Sequence, residues 1–193
     1  MQSLTFYIVD VFAVDKYTGN QLAVFTDAAA LSEQEMQRLA KEINYSETTF
    51  ITSKEPQNGG YNVRIFTPER ELPFAGHPTL GTAYIIQQII LNQAIDTLKL
   101  NLKVGQIPVN WQNLDELGEV LWMRQNSPTF HHKLEASAIN QVLSLPIDAI
   151  DTRFPIQEVS TGIPFIIVPL KNHEYLKQIH LLLSLQLSHQ QKH

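Results

Sequence analysis

Glu47 stands at the head of a short β-branched run, Asn44-Tyr45-Ser46-Glu47-Thr48-Thr49-Phe50, and it has the side chain best suited to moving a proton. A carboxylate enclosed by apolar neighbours such as Phe50 has its pKa pushed towards neutrality by desolvation, and a group near neutral can take a proton from carbon and give one back. The same residue on a solvated loop is simply a surface acid, since Glu is seldom buried unpaired. Gly76-His77-Pro78-Thr79-Leu80-Gly81-Thr82 offers complementary chemistry. Its two glycines have the spacing of a phosphate loop, but no Lys accompanies them, so nucleotide binding is disfavoured. Backbone N–H groups at a helix start can still hold a carboxylate, and His77 could orient or donate to a bound molecule. The alternative is a tight turn admitting a buried helix, with a structural histidine inside it.

Other chemistries drop out. Cysteine is absent, which removes thiol nucleophiles, disulfides and cysteine zinc sites together. His131-His132, His173, His180, His189 and His193 have no neighbouring acids at ligand spacing, so no metal is expected. Glu69-Arg70-Glu71 reads as an exposed charge run, and Trp111 and Trp122 read as core.

The chain that must position these groups has 193 residues, and 14 basic against 19 acidic side chains give a net charge of −5. With 44% hydrophobic and 17% charged residues it is a globular chain of one large or two small domains. The scattered basic residues argue against nucleic acid and against a membrane surface as partner. The opening MQSLTFYIVDVFAVD carries no positive leader and reads as a strand, and the apolar run 83–91 is too short to span a bilayer, so a cytoplasmic location is expected.

Leu4 to Val14 and Leu22 to Phe25 read as strands joined at Gly19-Asn20. Ser32 and Glu35 form a capping box opening an amphipathic helix over 32–43, with Met36, Leu39, Ala40 and Ile43 on one face. Further strands are expected at 48–52 and 61–67, the latter entered by the Asn58-Gly59-Gly60 turn. Residues 79–91, opened by Pro78 and apolar nearly all round, predict a helix buried on every side. A hairpin comes next, with Leu98, Leu100 and Leu102 alternating before Gly105 and Ile107, Val109 and Trp111 after it. From about residue 117 the order starts again: a strand at 119–123, a helix near 134–143, strands flanking Ser160-Thr161-Gly162-Ile163-Pro164, and helical spacing over 174–187. This is a weak internal duplication.

Five segments together resemble one family. Gly19-Asn20-Gln21-Leu22-Ala23-Val24, Asn44 to Phe50, Arg64-Ile65-Phe66-Thr67-Pro68, Glu71-Leu72-Pro73-Phe74-Ala75-Gly76-His77-Pro78-Thr79-Leu80-Gly81-Thr82-Ala83 and Ser160 to Phe165 look like the motifs, in order, of the PhzF-like isomerases of phenazine biosynthesis. The resemblance implies an α/β (α+β), diaminopimelate-epimerase-like fold: a complete lobe of curled mixed sheet around a central helix over 1–116, and a second, similar but incomplete lobe over 117–193. It implies a cofactor-independent isomerase that transfers a proton on a small carboxylic acid in a cleft between the lobes. The proton-transfer role then falls to Glu47, and Gly76, His77, Pro78, Thr79 and Asn20 line the substrate. Epimerases of the same fold use two cysteines, a mechanism this chain excludes. Full members go on to a Gly-x-Asp-Pro-Ala-Thr-Gly-Ser motif that this chain does not reach, so the expectation is a truncated member with impaired activity. The alternative is a non-catalytic fragment or assembly module completed by self-association, for example as a homodimer, or by a partner.

Overall fold

The computed structural model describes residues 3–115 and 118–181. Two compact units divide between Asn126 and Ser127. The first is built on a seven-strand path, β1(Phe6–Val11), β2(Asn20–Phe25), β3(Glu47–Ile51), β4(Tyr61–Phe66), β6(Thr97–Leu102), β7(Gly105–Leu114) and β8(Gly118–Met123), with the short β5(Glu71–Leu72) paired to β4. The sheet is mixed: β2 runs parallel to β3 and β4 parallel to β6, and the other pairs are antiparallel.

Strand parity explains how the middle of this sheet, β2 to β4, is covered on both faces. Successive side chains of a strand point to opposite sides. Leu22 and Val24, Ile51, and Val63 and Ile65 join one core cluster, while their neighbours Phe25, Phe50 and Phe66 join another. The second cluster lies under α1(Glu33–Ile43), whose Met36 and Ala40 are buried there. Phe6, Phe25 and Phe50 stack at 5.0 and 4.9 Å, and Phe66 meets Phe50 edge-on at 5.5 Å. At the start of α1, Ser32 accepts from the Glu35 amide while Glu35 accepts from the Ser32 amide, the expected capping box.

The first cluster encloses α2(Gly76–Ile85). This helix touches β1, β2 and β3 and also β6 and β8, strands from both ends of the path, so the sheet curls around it. Close approach is enforced by Gly81: a Cβ there would lie 2.7 Å from Leu22 Cδ2 and 2.8 Å from Val11 Cγ2. The helix starts earlier than the sequence predicts, with Ala75 as its N-cap and Pro78 in the third position. It continues as a π-helical run over Ile86–Leu91, and burial is not complete, since Tyr84 and Ile89 are about two-fifths exposed.

The sequence predicts a first lobe ending at residue 116, whereas the strand at 118–123 pairs antiparallel with β7 along its whole length and lies in the first unit. Trp122, expected in the core, is on the outside of that strand. Glu71, expected on an exposed loop, has a buried side chain that takes hydrogen bonds from Arg64 and Lys103.

The second unit holds β9(Thr129–Leu134), α3(Ala136–Leu143), a 3-10 turn at Ile147–Ala149, β10(Ile156–Ser160), β11(Pro164–Ile167) and α4(His173–Lys177). Its antiparallel sheet has the order β11-β10-β9. Ile139, Ile150 and Ile156 form a buried cluster, and Leu145 and Ala149 are buried as well. Of the helical spacing expected over 174–187, α4 covers only the start, and residues 182–187 lie outside the described residues.

Candidate active site

Parity and register bring three of the singled-out residues together. Glu47, Thr49 and Ile51 share a face of β3, and that face meets α2, where Thr49 Oγ1 and Thr82 Oγ1 lie 2.8 Å apart. In β2 the same face carries Asn20, Leu22 and Val24, and Leu22 is registered against Glu47. Gly81 of α2 sits on Leu22, and His77 lies one turn earlier on the same side of the helix. One helical turn advances about 5.4 Å and two strand residues about 6.7 Å, so stepping back from Gly81 to His77 matches stepping back from Leu22 to Asn20.

The result is a chain of contacts: Asn20 Nδ2 lies 3.1 Å from His77 Nδ1, and His77 Nε2 lies 3.5 Å from Glu47 Oε2. Gly19 makes the first of these possible. Its φ of +85° turns the chain into β2, and a Cβ there would fall 2.5 Å from the Val11 carbonyl oxygen. The 3.5 Å approach is not a hydrogen bond. Among the described residues, Glu47 Oε2 and His77 Nε2 are both buried and both without a hydrogen-bond partner. Such atoms are costly to leave in place unless something else serves them.

Burial acts on both groups in the direction of neutrality. Desolvation pushes the Glu47 carboxyl above the usual carboxylate range. Desolvation lowers His77 below the usual imidazole value, opposed by a backbone interaction at Gln21. The two side chains are 18% and 9% exposed, so Glu47 keeps a path to solvent or to a ligand.

The helix start contributes less than the motif suggests. The Thr79 amide donates to the Ala75 carbonyl at 3.3 Å, its hydroxyl donates there too at 2.7 Å, and Pro78 has no N–H. Gly76 and His77 are left as the helix-start amides that precede the helical ladder. Gly76 has Met123 of β8 against it, 3.1 Å from where a Cβ would be.

A polar depression of about 290 Å³ borders this site and is lined by Asp10, Tyr17, Asn20, Gln21, Tyr45 and Ser46 among others. Sequence reasoning misses Asp10, Tyr17 and Gln21. The β1–β2 register sets Asp10 beside Gln21, and such a meeting across strands leaves no signal in local spacing. A larger cavity of about 420 Å³ lies by Glu33, Gln37, Arg38, Phe66 and Glu71. Its two acids are already engaged by Arg64, so it offers no comparable free chemistry. Among the described residues no group of His, Asp and Glu could hold a metal ion, and no helix is long and apolar enough to cross a membrane.

Known proteins share this architecture. The family model described as phenazine biosynthesis-like protein matches residues 9–192. The trans-2,3-dihydro-3-hydroxyanthranilate isomerase of Pseudomonas aeruginosa is 35% identical over 175 residues, which cover 91% of this chain and 60% of that protein. Among solved structures, a protein of Pseudomonas aeruginosa described as a predicted epimerase superposes with a TM-score of 0.83 at 30% identity, over 96% of this chain and 66% of that one. A PhzF-family phenazine biosynthesis protein of Bacillus anthracis gives 0.80 at 28%, over 94% and 60%. The chain thus spans about 60% of the length of the curated relatives it matches at full stretch.

Proposed function

The chain belongs to the phenazine biosynthesis-like family, and from that premise we propose that it carries the proton-transferring site of an isomerase acting on a small carboxylic acid. The observation that supports this is a pair of buried atoms 3.5 Å apart, Glu47 Oε2 and His77 Nε2, each without a hydrogen-bond partner among the described residues. Glu47 as carboxylate removes a proton from a substrate carbon, the electron pair moves through the adjoining unsaturation, and the resulting acid returns the proton to another carbon. Atoms and electrons balance with no oxidant or reductant, so the step is complete without a cofactor. His77 and the amides of Gly76 and His77 supply the donors for substrate oxygen that becomes more negative as the proton leaves. The name of the Pseudomonas relatives suggests the substrate class: a cyclic diene carboxylic acid bearing amino and hydroxyl groups, whose ring stabilises the carbanion-like intermediate.

Incubation with cyclic diene acids and cyclic amino acids in heavy water tests this reading. The wild-type chain should place deuterium on carbon and Glu47→Gln should not, read by mass spectrometry. No uptake by the wild type, or equal uptake by Glu47→Gln, overturns it.

A second reading, self-association into a homodimer, is favoured by β11. Phe165, Ile166 and Ile167 are each more than half exposed on a strand that, among the described residues, pairs on one side with β10. Exposed apolar edge strands attract further strands. Sedimentation should show dimers that a Phe165→Lys, Ile167→Lys variant lacks; a wild-type monomer at high concentration removes this reading.

A further inference from the structure

We propose that Asn20 is a positioning residue that fixes the tautomer of His77, holding the ring proton on Nε2 so that the imidazole presents a donor, and only a donor, towards Glu47 and whatever binds there. This rests on the proton-transfer reading for its functional meaning, but its structural content stands alone.

The geometry is direct. Asn20 faces His77 Nδ1 with its amide nitrogen at 3.1 Å. An NH₂ group can only donate, so Nδ1 must accept through its lone pair and carries no hydrogen. A neutral imidazole has one ring proton, which therefore sits on Nε2. That nitrogen is buried, has no hydrogen-bond partner among the described residues and lies 3.5 Å from Glu47 Oε2. The rival for the ring is the Gln21 backbone, which favours the protonated imidazole; among the described residues it makes no hydrogen bond to the ring, whereas Asn20 does. Asn20, Gln21 and Thr79 are neutral, and Glu47 is the acid that approaches the ring.

The consequence is a division of labour. With its lone pair turned away to Asn20, His77 cannot accept a proton at the position facing the site, so proton abstraction falls to Glu47 alone. The Nε2–H is free to donate to a substrate oxygen or to the Glu47 carboxylate between steps. The arrangement also explains why Asn20 occupies the first position of β2, directly after a glycine whose backbone no other residue reproduces without strain.

Two measurements decide the matter. In ¹⁵N-labelled wild-type protein at neutral pH, with His77→Gln used to identify the signal among the seven histidines, His77 should show a bare Nδ1 and a protonated Nε2. A protonated Nδ1, or rapid averaging of the two forms, overturns the proposal irrespective of whether any substrate is turned over. The second measurement uses Asn20→Ala and Asn20→Asp. Ionised Asp is close in shape to Asn but can only accept, so it selects Nδ1–H and the wrong tautomer. If Asn20 merely fills space, Asp should be the milder change. If it sets the tautomer, Asn20→Ala should lower kcat roughly tenfold and Asn20→Asp on the order of a hundredfold, with KM changed less in both. The Asp variant should also move the ¹⁵N signature to Nδ1–H. An Asp variant as active as wild type, or one whose ring signals stay as in wild type, refutes the assignment. Failure of the deuterium experiment with an intact Nε2–H signature would instead discard the isomerase reading and leave this one standing.

Discussion

The two units bury their strands to very different depths. In the first, β2, β3 and β4 are covered on both faces, by α1 on one side and α2 on the other, and Leu22, Val24, Phe50 and Tyr61 are essentially inaccessible. In the second, the buried apolar side chains among the described residues are Ile139, Leu145, Ala149, Ile150 and Ile156, and all four residues of β11 and all but one of β9 are exposed. Hydrophobic stabilisation scales with the apolar area removed from water, so the first unit has by far the larger share of it. That is also where Glu47 and His77 sit. Holding a carboxylate and an imidazole desolvated and, among the described residues, without a hydrogen bond between or onto the facing atoms costs free energy, and a doubly covered sheet around a closely packed helix can sustain that cost.

Core truncations give the largest expected effect and the most direct way to break the comparison. Phe50→Ala removes the central ring of the Phe25, Phe50, Phe66 cluster and should cost about 3 to 5 kcal/mol. Ile139→Ala, at a site that is 9% exposed and less enclosed, should cost about 2 kcal/mol. Both tryptophans lie in β7 and β8 of the first unit. Tryptophan fluorescence in a urea titration should therefore report Phe50→Ala strongly and Ile139→Ala weakly. A tryptophan transition that moves as far in Ile139→Ala would mean that the two cores are one cooperative system.

Gly81→Ala comes next. The added methyl would press on Leu22, Val11 and Val9, so α2 and these side chains of the sheet are expected to move apart, at about 1 to 3 kcal/mol. Because His77 rides one turn away, this variant should also separate His77 from Glu47 and reduce deuterium incorporation more than its loss of stability explains. Unchanged incorporation would show that the helix position does not set the site.

Much of the first unit is legible in the sequence because its signals are local. The capping box at Ser32 and Glu35, the turn at Asn58-Gly59-Gly60 and the leucine alternation before Gly105 each specify their element within a few residues. The fold class is legible through the resemblance, carried by the block around Gly76-His77-Pro78, and the chain does belong to that family. The illegible part depends on meetings between distant strands. Sequence order groups strand 118–123 with the second lobe, although its hydrogen bonds join it to β7 of the first. Glu71 reads as exposed because nothing near it in sequence reveals that Arg64 and Lys103 converge on its carboxylate. At the site, Glu47 and His77 can be chosen by residue type, but their 3.5 Å approach and the turning of Asn20 onto the ring depend on β2–β3 register and the seat of Gly81.

The smallest expected effect sharpens the comparison by setting one carboxylate of each unit against the other. Asp151 of the second unit accepts hydrogen bonds from the Arg153 guanidinium at 2.7 and 2.9 Å, and that pairing holds its pKa down to about 2. A depressed carboxylate contributes stability above its unfolded value, 3.8, and loses it as pH falls towards 2. Asp151→Asn should therefore lower Tm at pH 6 and match wild type near pH 2. Glu47 has the opposite sign, because burial raises its pKa and, among the described residues, nothing pairs with the buried oxygen. Folded protein then holds this proton more tightly than unfolded, so the carboxylate is a liability that grows as pH rises above 4.5 through the raised value. Glu47→Gln should match wild type below pH 4.5 and exceed its Tm modestly at pH 7, by calorimetry, while abolishing deuterium transfer. Gain of stability with loss of chemistry is the mark of a side chain kept for function, and a Glu47→Gln variant less stable than wild type at pH 7 would instead place Glu47 among the groups that hold the sheet together.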